Sequence, residues 1–158
     1  MPMIHKTPAL RRVHRAAIVA AFSAILCGAS ALAAPPDLTA GGVPNHDPPI
    51  TFNLGRSGLR GWAYHVKQDT GESRQILVTA VDAGSPAAGI FSADDVILGA
   101  SGTGANPVNF SSDARKSLGL AIADAEANSP AELKLLRWRD GSPATTTPVA
   151  LSLQTLGA

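Results

Sequence analysis

One cysteine in 158 residues, Cys27, leaves this chain little scope for thiol chemistry or disulfide stapling. Histidine is almost as scarce. His5 and His14 sit near the start, and only His46 and His65 follow. Two histidines are too few for a zinc site of the usual ligand count unless carboxylates complete it. Catalytic motifs are missing as well. Gly99 to Thr103 starts like a nucleophile elbow but carries Thr103 where the second glycine belongs. Gly102 to Asn106 lacks the last glycine and the following helix of a dinucleotide-binding loop. A triad-bearing protease domain does not fit in this length. The expectation is a chain that is not an enzyme, with no cofactor and no metal.

Acidic residues are also absent from the first 36 positions, where Lys6, Arg11, Arg12 and Arg15 give a basic start. An apolar run from Ala16 to Ala33 follows, and Ala31-Leu32-Ala33 supplies small residues just before Pro35-Pro36. Residues 1–34 therefore read as a secretory signal peptide cleaved near Ala33/Ala34, which makes the protein periplasmic or secreted. A retained anchor is the alternative, but the run is near the lower length for a span and Ser23, Gly28 and Ser30 dilute it. Ala24-Ile25-Leu26 before Cys27 lacks the small residue that lipidation needs. Beyond the signal, nine Lys and Arg face twelve acids, a net charge of −3. That excludes a basic nucleic-acid footprint. No stable membrane insertion is expected after cleavage, and the composition leaves the oligomeric state unknown.

Residues 35–49 (PPDLTAGGVPNHDPP) read as a Pro/Gly-rich tether. From Ile50 the pattern turns strand-like. Ile50 to Leu54 alternates, Leu54 to Gly61 is a glycine-punctuated loop, and Trp62, Tyr64 and Val66 mark a second strand. Ile76 to Val81 is a third, Pro86 to Gly89 a short helical step, and Asp95 to Leu98 a fourth strand. Gly99 to Pro107 reads as a flexible excursion. Ser112 is placed as the N-cap of a helix from Asp113 to about Ala127, with Ala114, Leu118, Ala121, Ile122 and Ala125 on one stripe. Gly119 weakens that helix by about 1 kcal/mol relative to alanine. Glu132 to Trp138 and about Pro148 to Leu153 close the domain. The predicted class is α+β.

Three pieces in this order carry a resemblance: Gly84-Ser85-Pro86-Ala87, Asp95-Val96-Ile97-Leu98, and Leu133 to Gly141 with its downstream strand. Residues 50–155 resemble a PDZ domain. The resemblance implies a five- to six-stranded, partly closed antiparallel β-sandwich capped by one long and one short helix. The chain is also similar to the N-terminal PDZ-like module of secreted bacterial proteins of unknown function. The loop Leu54-Gly55-Arg56-Ser57-Gly58-Leu59-Arg60-Gly61-Trp62 carries that second likeness. Two positions depart from the PDZ pattern. Asp94 stands where a glycine is usual, and Arg137 falls on the inward register of Leu133 and Leu135. Aspartate tolerates left-handed backbone angles better than most residues. Arg137 implies a twist in the strand, or pairing with a buried acid or the rim.

PDZ domains take up a peptide or protein C-terminus as an added strand between the second strand and the long helix. By position, Gly58, Leu59, Arg60, Gly61 and Trp62 would cradle the carboxylate with backbone N–H groups. Ala63, Tyr64 and His65 would pair with the peptide. Ser112, Arg115, Lys116 and Gly119 would form the opposite wall. Each has a plainer role: the glycines as turn formers, Arg60 as a solvated charge, Trp62 as core, Ser112 as a cap. Two other functions stay open. The groove could be filled by the 35–49 tether or by Leu156-Gly157-Ala158. The chain could also be the front of a larger secreted enzyme.

Overall fold

A computed structural model describes residues 35–42, 50–65 and 69–153. The signal-peptide reading of residues 1–34 lies outside them. Seven strands and one helix follow in order: β1 (Phe52–Asn53), β2 (Leu59–Ala63), β3 (Ile76–Val81), β4 (Val96–Ser101), β5 (Val108–Asn109), α1 (Ala114–Glu126), β6 (Glu132–Arg139) and β7 (Thr145–Ser152). They form one antiparallel sheet in the order β1-β2-β3-β4-β6-β7, with β5 also on β4. The class is α+β. The strand count exceeds the expected five or six, because the chain forms one additional short strand, β5, just after the excursion that starts at Gly99.

Alternation along the strands divides the sheet into two faces. On one, Leu59, Ala63, Ile76, Val78, Ile97, Leu133, Leu135 and Leu151 are buried beneath the helix. The helix contributes Ala114, Leu118, Ala121 and Ala125, with Ile122 half-buried beside them. On the other face Trp62, Leu77 and Val96 gather with Leu38, flanked by Tyr64, Leu98 and Trp138. The tether reading fails at Leu38–Ala40, which forms a 3-10 turn. Leu38 is an apolar side chain with a sheet face to cover, so the segment docks. The Gln75 side-chain amide holds it from both ends, accepting from the Leu38 N–H at 2.6 Å and donating to Asp37 Oδ1 at 3.1 Å.

Three local expectations need correction. Pro86 to Gly89 is a run of tight turns rather than a helical step. Ala88 N–H reaches Ser85 O, and Ile90 and Phe91 N–H share Ala87 O. Glycine at φ +77° at position 89 ends the run before a helix can propagate. The N-cap of α1 is Asp113, not Ser112. Asp113 Oδ1 accepts from the Lys116 N–H at 3.0 Å and from the Thr70 hydroxyl at 2.8 Å, while Ser112 is exposed one residue upstream. Strand β2 begins at Leu59 rather than Trp62. A 3-10 turn at Gly55–Ser57, closed by Gly58 at φ +73°, returns the chain sooner than the loop reading allows.

The two departures from pattern resolve physically. Asp94 adopts φ +72°, the left-handed angle a glycine would otherwise supply. Arg137 does follow Leu133 and Leu135 on the inward register. Its Nη1 donates to the Ile90 carbonyl and its Nη2 to the Thr147 hydroxyl at 3.3 Å, with its guanidinium 5.8 Å from the Phe91 ring centroid. The buried acid pairs instead with Arg139, two residues on.

Candidate functional site

The loop between β1 and β2 is built by side chains folding back on their own backbone. Ser57 is buried. Its hydroxyl donates to Leu54 O at 2.9 Å and accepts from the Leu59 N–H at 3.2 Å. The Gly58 N–H donates to Gly55 O at 3.2 Å, and its carbonyl accepts from the Asp82 N–H at 2.8 Å. A Cβ at Gly58 would stand 2.0 Å from Ser85 Cβ, so the loop lies directly on that turn. Both loop cations are occupied: Arg56 Nε sits 3.1 Å from Glu126 and Arg60 Nε 3.1 Å from Asp82.

Gly61 belongs to the ladder rather than to a cradle. It is buried, opposite Phe52 on one side and Val78 on the other, with a bulge between Arg60 and Gly61. A Cβ there would meet Ile76 Cγ2 at 2.6 Å and Leu54 Cδ1 at 2.8 Å. Trp62 is buried on the outer face and Ala63 in the core, with Tyr64 and His65 half-buried after them.

Hydrogen-bond alternation decides where the β2 backbone points. The Val78 N–H donates to Asp95 O, and Val78 O accepts from the Asp94 N–H, so Val78 faces away from β2. Its neighbour Leu77 therefore faces β2, and Leu77's partner Trp62 faces β3. Ala63 then directs its N–H and C=O groups to the opposite edge, and the same alternation continued past the end of β2 would direct those of His65 there too. The hairpin gives the same parity: the Leu54 N–H reaches Leu59 O, and Phe52 opposes Gly61. β1 stops at Phe52, so among the described residues no strand pairs with the edge beyond Gly61.

Phe52, His65 and Arg115 meet beside this edge. The Phe52 and His65 rings lie edge to face at 6.0 Å, and the Arg115 guanidinium stands 3.8 Å over the Phe52 ring. His65 Nδ1 is buried without a hydrogen-bond partner. Arg115 and Lys116 are exposed at the start of α1, and Gly119 is exposed a turn further on with nothing within 4 Å of a built Cβ. Ala63, His65 and Arg115 of the expected set thus come together. Gly58, Leu59, Arg60 and Gly61 are engaged in the loop and the ladder, Trp62 and Tyr64 face the other side, and Ser112, Lys116 and Gly119 are solvent-facing. The sequence reading missed Phe52 at this site, although its place in the Ile50–Leu54 alternation already put it on the helix-facing side of the hairpin.

Elsewhere the surface offers shallow pockets. One of about 200 Å³ lies between Pro35, Pro36, Trp62, Tyr64, Arg74 and Gln75. Among the described residues no group of three or more His, Cys, Asp or Glu could hold a metal ion, and no helix is long and apolar enough to cross a membrane.

No protein-family profile matches the chain, and a comparison with curated proteins found no match. A solved structure, the PDZ domain of a carboxy-terminal protease from Vibrio cholerae in complex with a peptide, superposes with a TM-score of 0.39 at 21% identity. The match covers 58% of this chain and 91% of that one.

Proposed function

We propose that this protein is an exported, non-catalytic PDZ-like module that takes up an extended peptide or protein C-terminus as an added strand along β2. The observation that carries the reading is the short β1: it leaves the Ala63 backbone groups directed to an edge that no described strand fills, and a ligand that extends β2 would reach those of His65 as well. An extended chain laid there gains main-chain hydrogen bonds, with Phe52, His65 and Arg115 beside it for side-chain selection.

The far edge of the sheet is poorly suited to the same role. The Leu153 N–H donates to Ala131 O, so odd residues of β7 face β6 and even residues face outward. Pro148 belongs to the outward set and has no N–H, which interrupts that edge at mid-strand. Of the two edges, β2 is the one free of such a block.

Occupancy of the groove by the chain's own 35–49 segment is the second reading, because β1 leads back into it. Its register weighs against that. Extending the Phe52–Gly61 pairing sets Pro48 opposite His65, where the ladder needs a donor and proline has none.

A library of extended peptides screened against the purified protein tests the proposal, alongside the His65→Pro variant. Proline removes an edge N–H that no described strand uses. The variant should keep the thermal transition and lose peptide binding. Unchanged binding in a folded His65→Pro protein would place the ligand elsewhere.

A further inference from the structure

Resting on the strand-addition reading, the distribution of donors and charges narrows what can be added. A chain terminus needs several free N–H groups, or a free cation, where its carboxylate ends. The loop offers neither. The Gly58 N–H is spent on Gly55 O, the Leu59 N–H on the Ser57 hydroxyl, and Gly61 faces Phe52. Arg56 is held by Glu126 and Arg60 by Asp82. β1 itself lies along β2 between this loop and the first open position, Ala63. That position is about 13 Å along the strand from Leu59. An arriving strand meets the edge in mid-sheet, with the hairpin blocking its approach to the loop.

The charges at the open edge differ from those at the loop. Arg115 has no carboxylate partner among the described residues; its guanidinium is parked over the Phe52 ring. His65 Nδ1 beside it is buried and unpartnered. We propose that the edge at Ala63–His65 takes up an internal stretch of a partner polypeptide, carrying a carboxylate side chain against Arg115, rather than a chain terminus. The acid would move the guanidinium from a stacking contact to an ion pair and leave the aromatic ring as the floor of the groove.

The test uses nine-residue peptides of alternating Thr and Val, acetylated and amidated at their ends, with Glu or Gln at the centre. The Glu peptide with a free C-terminus completes the set. Amide shifts of Ala63 and His65 report binding at the edge. The capped Glu peptide should bind as well as the free acid, and the Gln peptide about two- to five-fold more weakly, the range of an exposed ion pair. Arg115→Gln should erase the Glu–Gln difference, and Arg115→Lys should retain most of it. Binding that needs the free terminus, with shifts centred on Gly55 to Gly58, overturns the inference and leaves strand addition standing. Equal binding of the Glu and Gln peptides to the wild-type protein overturns it too. No peptide shifting the Ala63 and His65 amides overturns both the inference and the reading beneath it.

Discussion

Arg139 grips the buried carboxylate of Asp95 with two hydrogen bonds of 2.7 Å, Nε to Oδ1 and Nη2 to Oδ2. Asp95 Oδ2 also accepts from the Ser92 N–H at 2.9 Å, and Arg139 Nη2 reaches the Ile90 carbonyl at 3.1 Å. One ion pair thus ties β6 to both ends of the turn that precedes β4. The Asp95 hydrogen bond holds the arginine pKa above its ordinary value, even though burial pulls the other way.

The two partners should not be equally sensitive. Asp95 is 2% exposed, while the Arg139 side chain is 40% exposed and can return to water if released. Arg139→Gln strands a buried carboxylate and should cost about 3 kcal/mol, the low end for a broken buried pair. Asp95→Asn removes the charge and keeps an acceptor for Ser92, so about 1–2 kcal/mol is expected. Urea unfolding of both variants checks the order, and a larger loss in Asp95→Asn would contradict it.

Elements fixed by local chemistry were legible in the sequence. β3 has the bounds that its run of apolar residues and four β-branched ones indicates, and α1 lies within a residue at each end because its apolar stripe is continuous. The left-handed Asp94 follows from aspartate's tolerance of that angle. What was not legible depends on distant partners. Gly61 looked like a loop glycine because nothing nearby reveals that Ile76 and Leu54 close over it. Leu38 looked like tether because its neighbours are Pro, Asp, Thr and Ala, and its partners Trp62, Leu77 and Val96 come from three strands. Arg137 was recognised as anomalous, but the acid it was expected to seek belongs to Arg139.

Gly61 and Gly119 should respond in opposite directions. A side chain at Gly61 must displace Ile76 and Leu54 from contacts already below 3 Å, so Gly61→Val should destabilise by about 1–3 kcal/mol. Gly119 lies exposed in α1 with open space around it, and Gly119→Ala should stabilise by about 0.5–1 kcal/mol. Thermal melts of the pair decide it. A neutral Gly61→Val would mean that the β1–β2 hairpin does not close over this position.

Leu38 pins residues 35–42 to the outer face. Leu38→Ala should cost about 2 kcal/mol, the low end for a buried leucine, because the short segment can detach as a unit. Trp62 is 2% exposed beneath it and should show a red-shifted, more quenchable fluorescence in the variant. An unshifted spectrum would show that Leu38 is not what covers Trp62.

The cap of α1 sets an acid limit on stability. Burial raises the Asp113 pKa, but the Lys116 N–H, the Thr70 hydroxyl and the Arg115 N–H outweigh it, and the carboxyl ends below its ordinary 3.8. A depressed folded-state pKa means a stabilisation that is complete above the unfolded value and fades as pH falls through the folded one. The loss therefore belongs below about pH 4. Asp113→Asn keeps an oxygen for the Lys116 N–H but does not titrate. At neutral pH it should be slightly less stable than the wild type, and between pH 4 and 2 its stability should fall less steeply. Asp113→Ala should lose about 1 kcal/mol at neutral pH, a typical cost for a removed N-cap. Urea midpoints of the three proteins at pH 7, 4 and 2.5 measure the slopes. Parallel lines for wild type and Asp113→Asn would assign the acid sensitivity to other carboxylates, with Asp37, which the Gln75 side chain also holds low, the next to substitute.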